Sequence, residues 1–287
     1  WEVVNCGGVS YASYRLLPIM QECLSYKPDL YIVCTGHNEF LECITYADVI
    51  SAAPIVSDTF RRLHGLSSFR LLRNAIGGVG AADTVADQSG QNFFLAEEVD
   101  ALLDHQGGLE AYSRAALHAE KVIESFGHNL QRMINMCEHA DVPVLFMHPP
   151  SNLQNCPPFK SEFSARIDDV ARRQIAADLQ TAARLQTEDT NASIALFEQI
   201  TSADDRFAFS WYQLGQACVL DGRFDDAVTA FERARDEDVC PLRMTSGLRD
   251  EMFRVVENNT IPLLDIHQLL QQAARRNIVG DSVLTDH

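Results

Sequence analysis

Leu30-Tyr-Ile-Val-Cys34 runs directly into Thr35-Gly-His-Asn-Glu39. A continuous apolar run closed by a polar, glycine-containing stretch predicts a short strand of a parallel sheet covered on both faces. Upstream, Leu16, Leu17, Met20, Cys23 and Leu24 recur at helical spacing. They predict a helix over about 11–26, stopped by Pro28. Before it, Val3-Val4, closed by Gly7-Gly8, predicts a strand over 2–5. The opening therefore reads strand, helix, strand, with polar residues at the carboxyl end of each strand.

The same alternation returns downstream. Val142-Pro-Val-Leu-Phe-Met147 and Ile261-Pro-Leu-Leu-Asp-Ile266 predict strands near 142–147 and 262–266. The first of these ends in His148-Pro-Pro-Ser-Asn152. Tyr112, Ala116, Ala119, Ile123, Phe126, Leu130, Met133 and Cys137 keep a helical stripe, which predicts a long helix over about 109–139. Further helices are expected near 246–258 and 267–276. Strands alternating with helices predict an α/β fold, a three-layer parallel sheet with right-handed crossovers. Between 43 and 108 the pattern is weaker. Short helices are expected near 57–63 and 67–76, and a loop rich in Gly, Ala and Asp over 77–92.

From about 161 to 238 the strand signals vanish. Trp211-x-x-Leu214-Gly215-x-x-Cys218, then Ala227-x-x-x-Phe231 and Ala234, match the tetratricopeptide pattern. Small residues let paired helices approach closely, and Gly222 turns the chain between them. One 34-residue period before Phe231 stands Phe197, so a degenerate earlier repeat is expected. The organisation expected is thus an α/β domain over 1–164, a tetratricopeptide-like helical insert over 165–241, and the rest of the α/β domain over 242–287.

Composition narrows the partners. Of 287 residues, 23 are Lys or Arg and 40 are Asp or Glu, a net charge of −17. With 46% hydrophobic and 22% charged residues the chain is globular in composition. The acidic balance argues against nucleic acid and anionic membrane surfaces, which need clustered cations. No apolar run reaches the roughly 18 residues that a membrane span requires. The chain opens at Trp1 inside a strand-like run and stops at Asp286-His287, which reads as a piece of a longer protein. Its 8 cysteines contain no Cys-x-x-Cys pair, so zinc or redox motifs are not expected and buried thiols are. Cys156 and Cys240, in proline-containing loops flanking the helical segment, leave a disulfide open. No cofactor and no metal are expected.

Ligands of open parallel sheets bind beyond the carboxyl ends of the strands. Gly7-Gly8-Val9-Ser10, Gly36-His37-Asn38-Glu39 and His148 to Asn152 sit there, and Asp286-His287 follows the last strand by a helix and a loop. Each also has a structural reading. Gly7-Gly8 forms a turn, Asn38 caps a helix, His148 holds a strand end by hydrogen bonds, and Asp286-His287 is a polar terminus.

The combination is more specific. Gly36-His-Asn38-Glu39 after an apolar strand resembles the Gly-x-Asn-Asp/Glu block of the SGNH hydrolases, the GDSL-like esterase and lipase superfamily. Asn5-Cys6-Gly7 resembles their preceding Asn-x-Gly block, and Asp286-His287 resembles the start of their closing Asp-x-x-His. Val9 to Arg15 and Ser151 to Ser161 are similar to a subgroup whose SGNH domain carries tetratricopeptide repeats. The resemblance spans nearly the whole chain. It implies a flavodoxin-like fold and ester cleavage by a Ser nucleophile with a His base held by Asp. It places the nucleophile before residue 1 and the base two positions past His287, so Ser10 is not the nucleophile. Asn38 would donate its amide to the oxyanion. Backbone N–H groups over Gly8 to Ser10 would supply a second donor. Asp286 would hold the base in its productive tautomer. The substrate implied is a small ester or an acylated glycan, with a protein partner through 165–241. The alternatives are a non-catalytic tetratricopeptide scaffold and a glycan O-acyltransferase.

Overall fold

The computed structural model describes residues 2–8, 10–41, 109 and 112–286. The chain divides into two compact units, residues 1–44 with 108–287, and residues 45–107. The second unit lies outside the described residues, and with it the helices expected near 57–63 and 67–76 and the loop over 77–92.

The first unit is mixed α/β. Its strands are β1 (Tyr31–Cys34), β2 (Val144–His148) and β3 (Leu263–Asp265), all parallel and in the order β1-β2-β3. Its α-helices are α1 (Ser13–Cys23), α2 (Ala119–Ala140), α3 (Asp169–Glu188), α4 (Thr190–Ala203), α5 (Ala208–Asp221), α6 (Phe224–Asp236), α7 (Ser246–Asn258) and α8 (Ile266–Ala273). None of the described helices is long and apolar enough to cross a membrane.

Register sorts the strand residues into two faces. Val33 pairs with Phe146 and Phe146 with Leu263, while Cys34 pairs with Met147 and Met147 with Leu264. The Val33–Phe146 face is buried beneath Leu17 and Met20 of α1, Phe126, Leu130 and Met133 of α2, and Leu248, Met252 and Val255 of α7. Burying each such side chain contributes about 1.5–3 kcal/mol. On the opposite face Ile32 is 58% and Leu264 39% exposed. The sequence predicts cover on both faces, and the described residues supply it on one. Topology gives the reason. Right-handed crossovers that step the same way across a sheet lay their helices on the same side.

Two further expectations are corrected. Residues 2–5 form no strand, and Val3 and Val4 are 89% and 73% exposed. A short apolar run needs a paired neighbour and a cover, and the described residues give it neither. The long helix begins at Ala119, not near 109, and its 22 residues span roughly 33 Å. Residues 112–118 turn instead, ending at His118 with φ 43°. Arg114 explains why. Its guanidinium reaches Glu237 Oε2 at 2.7 Å and the Arg206 carbonyl at 2.6 Å, and its own N–H donates to Glu162 Oε2. The segment is an anchor for the helical region, which a continuous helix could not provide.

Residues 169–236 are helical with short connections. Leu214, Gly215 and Cys218 of α5 face Ala227, Phe231 and Ala234 of α6, all buried. A Cβ on Gly215 would stand 2.6 Å from the Phe231 ring, so the helices approach at a position only glycine fills. Gly222 caps α5 with φ 82°, and the Arg223 N–H returns to the Cys218 carbonyl. Phe197 of α4 is fully buried in the same cluster. Leu153 and Ile278 join that cluster, so it also secures the loop after β2 and the segment after α8.

Cys156 and Cys240 carry free thiols. Their backbones are separately engaged. The Cys156 carbonyl accepts from Arg243 at 2.7 Å, and the Cys240 N–H donates to Asp238 Oδ1 at 2.9 Å. Burial pushes the Asp238 carboxyl up to about 6, against three backbone N–H donors and the nearby Arg243.

Candidate functional site

The carboxyl edge of the sheet is built from β1 outward. β1 ends at Cys34, and Gly36 then turns the chain with φ 134°. A side chain there would also meet Met244, whose Sδ lies 2.7 Å from the Cβ position. His37 is clamped next. The Met244 N–H donates to its Nδ1 at 2.9 Å, which leaves the proton on Nε2 to donate to the Pro150 carbonyl at 3.1 Å. His37 therefore joins the ends of β1 and β2 to residue 244 and holds Asn38 in place. The half-buried Asn38 directs its amide at the Tyr11 carbonyl, 3.4 Å away.

That contact brings Asn38 to the segment holding Gly8 and Ser10. Gly7 N–H donates to the Asn5 side chain, Tyr11 N–H to the Gly8 carbonyl, and the Tyr11 ring lies over Gly8. Ser10 takes φ 61°, a left-handed conformation uncommon for a residue with a side chain. Gly8 is exposed and Ser10 half-buried.

Glu39 does different work. Its carboxylate accepts from the Ser13 N–H and hydroxyl, both at 2.8 Å, and from Thr35 Oγ1 at 3.4 Å. The residue before α1 is Ala12, which supplies no side-chain cap. Glu39 fills that role from across the fold, and its negative charge suits the helix amino terminus. Asn129 of α2 completes the network by donating to Ser13 Oγ at 3.0 Å.

The loop after β2 holds the other end of the chain. The Asn152 amide donates to Asp281 Oδ1 at 2.8 Å and to the Leu284 carbonyl at 2.9 Å. Leu153 and Gln154 N–H groups both donate to the Val279 carbonyl. Asp286 follows two residues after Leu284 and is exposed; His287 lies outside the described residues. One loop, 150–154, thus ties down the neighbour of Asn38 and the segment leading to Asp286. Tyr212 and Gln216 of α5 fix it from the helical side, both donating to the Gln154 carbonyl.

Sequence reasoning missed an imidazole–carboxylate pair. The His148 Nδ1–H donates to Asp265 Oδ1 at 2.7 Å, and Asp265 also caps α8 through the Gln268 N–H. His267 stands beside them, its ring 5.6 Å from that of His148, and its Nδ1 accepts the Ser151 N–H at 3.2 Å. Burial, then the neighbouring His148 and Arg235, push the His267 imidazole down to about 4. Burial also lowers His148, against the pull of Asp265. His148 lies on the covered face of the sheet, edge-on to Phe253 of α7. The available signal was Asp-x-His at the end of an apolar run. Among the described residues no cluster of His, Cys, Asp or Glu is grouped to hold a metal ion.

Comparison with protein-family models, with curated proteins and with solved structures returns no match.

Proposed function

We propose that this chain is part of an SGNH-type serine ester hydrolase acting on an ester-bonded acyl group. The observation that carries the reading is the contact between the Asn38 amide and the Tyr11 carbonyl. It supports the reading because it brings the Asn38 amide to the backbone one residue past the Gly8–Ser10 segment expected to hold the second donor. Asp286, two residues after the Leu284 carbonyl that Asn152 holds, would orient the base. In this reading the nucleophile and the base come from sequence outside residues 1–287. A donor removed from an oxyanion site typically costs ~10²–10³ in rate.

The test uses the protein with its flanking sequence and a short activated ester, p-nitrophenyl acetate. Asn38→Ala should lower kcat by roughly 10²-fold, with an unchanged circular dichroism spectrum. A rate equal to that of the parent would remove Asn38 from the mechanism. Esterase activity in residues 1–287 alone would show that the nucleophile has been misplaced. A protein inactive in both forms would favour the tetratricopeptide scaffold.

A further inference from the structure

We propose that Cys6 and Cys23 form a reversible disulfide that straps the amino-terminal segment to α1. Their sulfurs lie 3.7 Å apart although 17 positions separate them. A disulfide closes at about 2.05 Å, so the bond needs a movement of about 1.7 Å. The structure makes that movement easy on one side. Cys6 sits in the exposed, irregular segment 2–8, which the local Gly7–Asn5 and Tyr11–Gly8 hydrogen bonds hold. Cys23 is fixed, the last residue of α1 and half-buried. The other described thiols are less suited. Cys137, Cys218 and Cys240 are buried, and the half-buried Cys156 thiol is turned to the Pro157 carbonyl at 3.7 Å.

The two thiols also divide the chemistry. Burial raises the Cys23 thiol, and the Cys6 sulfur beside it raises it further. Exposed Cys6 therefore meets a soluble oxidant first. The oxidant class is a small-molecule disulfide such as glutathione disulfide. The Cys6 thiolate attacks one of its sulfurs, forms a mixed disulfide and expels one glutathione thiolate. The Cys23 thiolate then attacks the Cys6 sulfur, forms the internal bond and expels the second glutathione. Two protein thiols lose two electrons and two protons in all, and one glutathione disulfide becomes two glutathione thiols. The closed ring contains Gly8 and Ser10. The inference stands on the sulfur geometry and is independent of the hydrolase reading.

Treating the intact chain with glutathione disulfide, alkylating it without reduction and mapping its peptides by mass spectrometry tests this. The expected product links Cys6 to Cys23 and is lost on adding dithiothreitol. Hydrogen exchange at Gly7 and Gly8 should slow by at least about tenfold in the oxidised form. In Cys23→Ser, glutathione should remain attached to Cys6. Alkylated Cys6 and Cys23 without a link, or a Cys6–Cys34 link, would overturn the proposal. A Cys6 that stays unmodified in Cys23→Ser would overturn the order of attack.

Discussion

His267 is an imidazole that the fold keeps neutral. In the unfolded chain it binds a proton below about pH 6.5, and in the fold only below about 4. The unfolded state therefore binds more protons between these values, and stability falls as pH falls through that window. The full shift corresponds to about 3 kcal/mol as an upper bound. Asp238, raised to about 6, acts the other way, and its share is lost as pH rises from the ordinary carboxylate range toward 6. The two slopes oppose each other, so the parent protein alone is a poor probe. His267→Gln keeps an acceptor for Ser151 without titrating. Relative to the parent's, its urea-unfolding free energy should rise by about 1–3 kcal/mol on going from pH 7 to 4.5. The imidazole itself should titrate near pH 4 by proton NMR, and a midpoint near 6.5 would refute the assignment. In the sequence, Asn38 and Gly8 were visible because they follow apolar runs. The His148–Asp265 pair was not, because 117 positions separate its members and only the β2–β3 pairing brings them together.

The α5–α6 pair shows the same logic in a whole element. Phe231 is 1% exposed, fills the notch at Gly215 and lies 5.5 Å from the Tyr212 ring. Phe231→Ala should cost about 3–5 kcal/mol, read from the urea midpoint. A cost below about 1 kcal/mol would mean that the helices close without it. Spacing alone placed this pair, since Trp211, Leu214, Ala227 and Phe231 are local signals. It placed α7 and the strand cores equally well. It failed where tertiary anchoring outvotes periodicity. Tyr112 and Ala116 keep the helical stripe, yet Arg114 and its acceptors Glu237 and Arg206 hold that stretch as a turn. It failed again at Val3-Val4, where a strand needs a neighbour that local sequence cannot supply.

Across the molecule, the sheet is helix-covered on its Val33 face and bears exposed Ile32, Cys34 and Leu264 on the other. The hydrolase reading, as a flavodoxin-like fold, implies further helices over that second face and another strand beside β1, on the side away from β2. In the protein with its flanking sequence, iodoacetamide should then alkylate Cys34 at least about tenfold more slowly than in residues 1–287. Equal rates would leave the Ile32 face uncovered and count against the flavodoxin-like arrangement. The capping of α1 by Glu39 sets an order in time as well as in space. Ser13 is made 26 residues before the carboxylate that completes its helix. At about 5–20 residues per second on the ribosome, α1 waits roughly 1–5 s for that partner. Leu17 and Met20 wait longer still for their sheet cover, because the described partner of β1, Val144–His148, is translated about 110 residues later. Those seconds are the time in which a ribosome-bound chaperone would meet this helix bare.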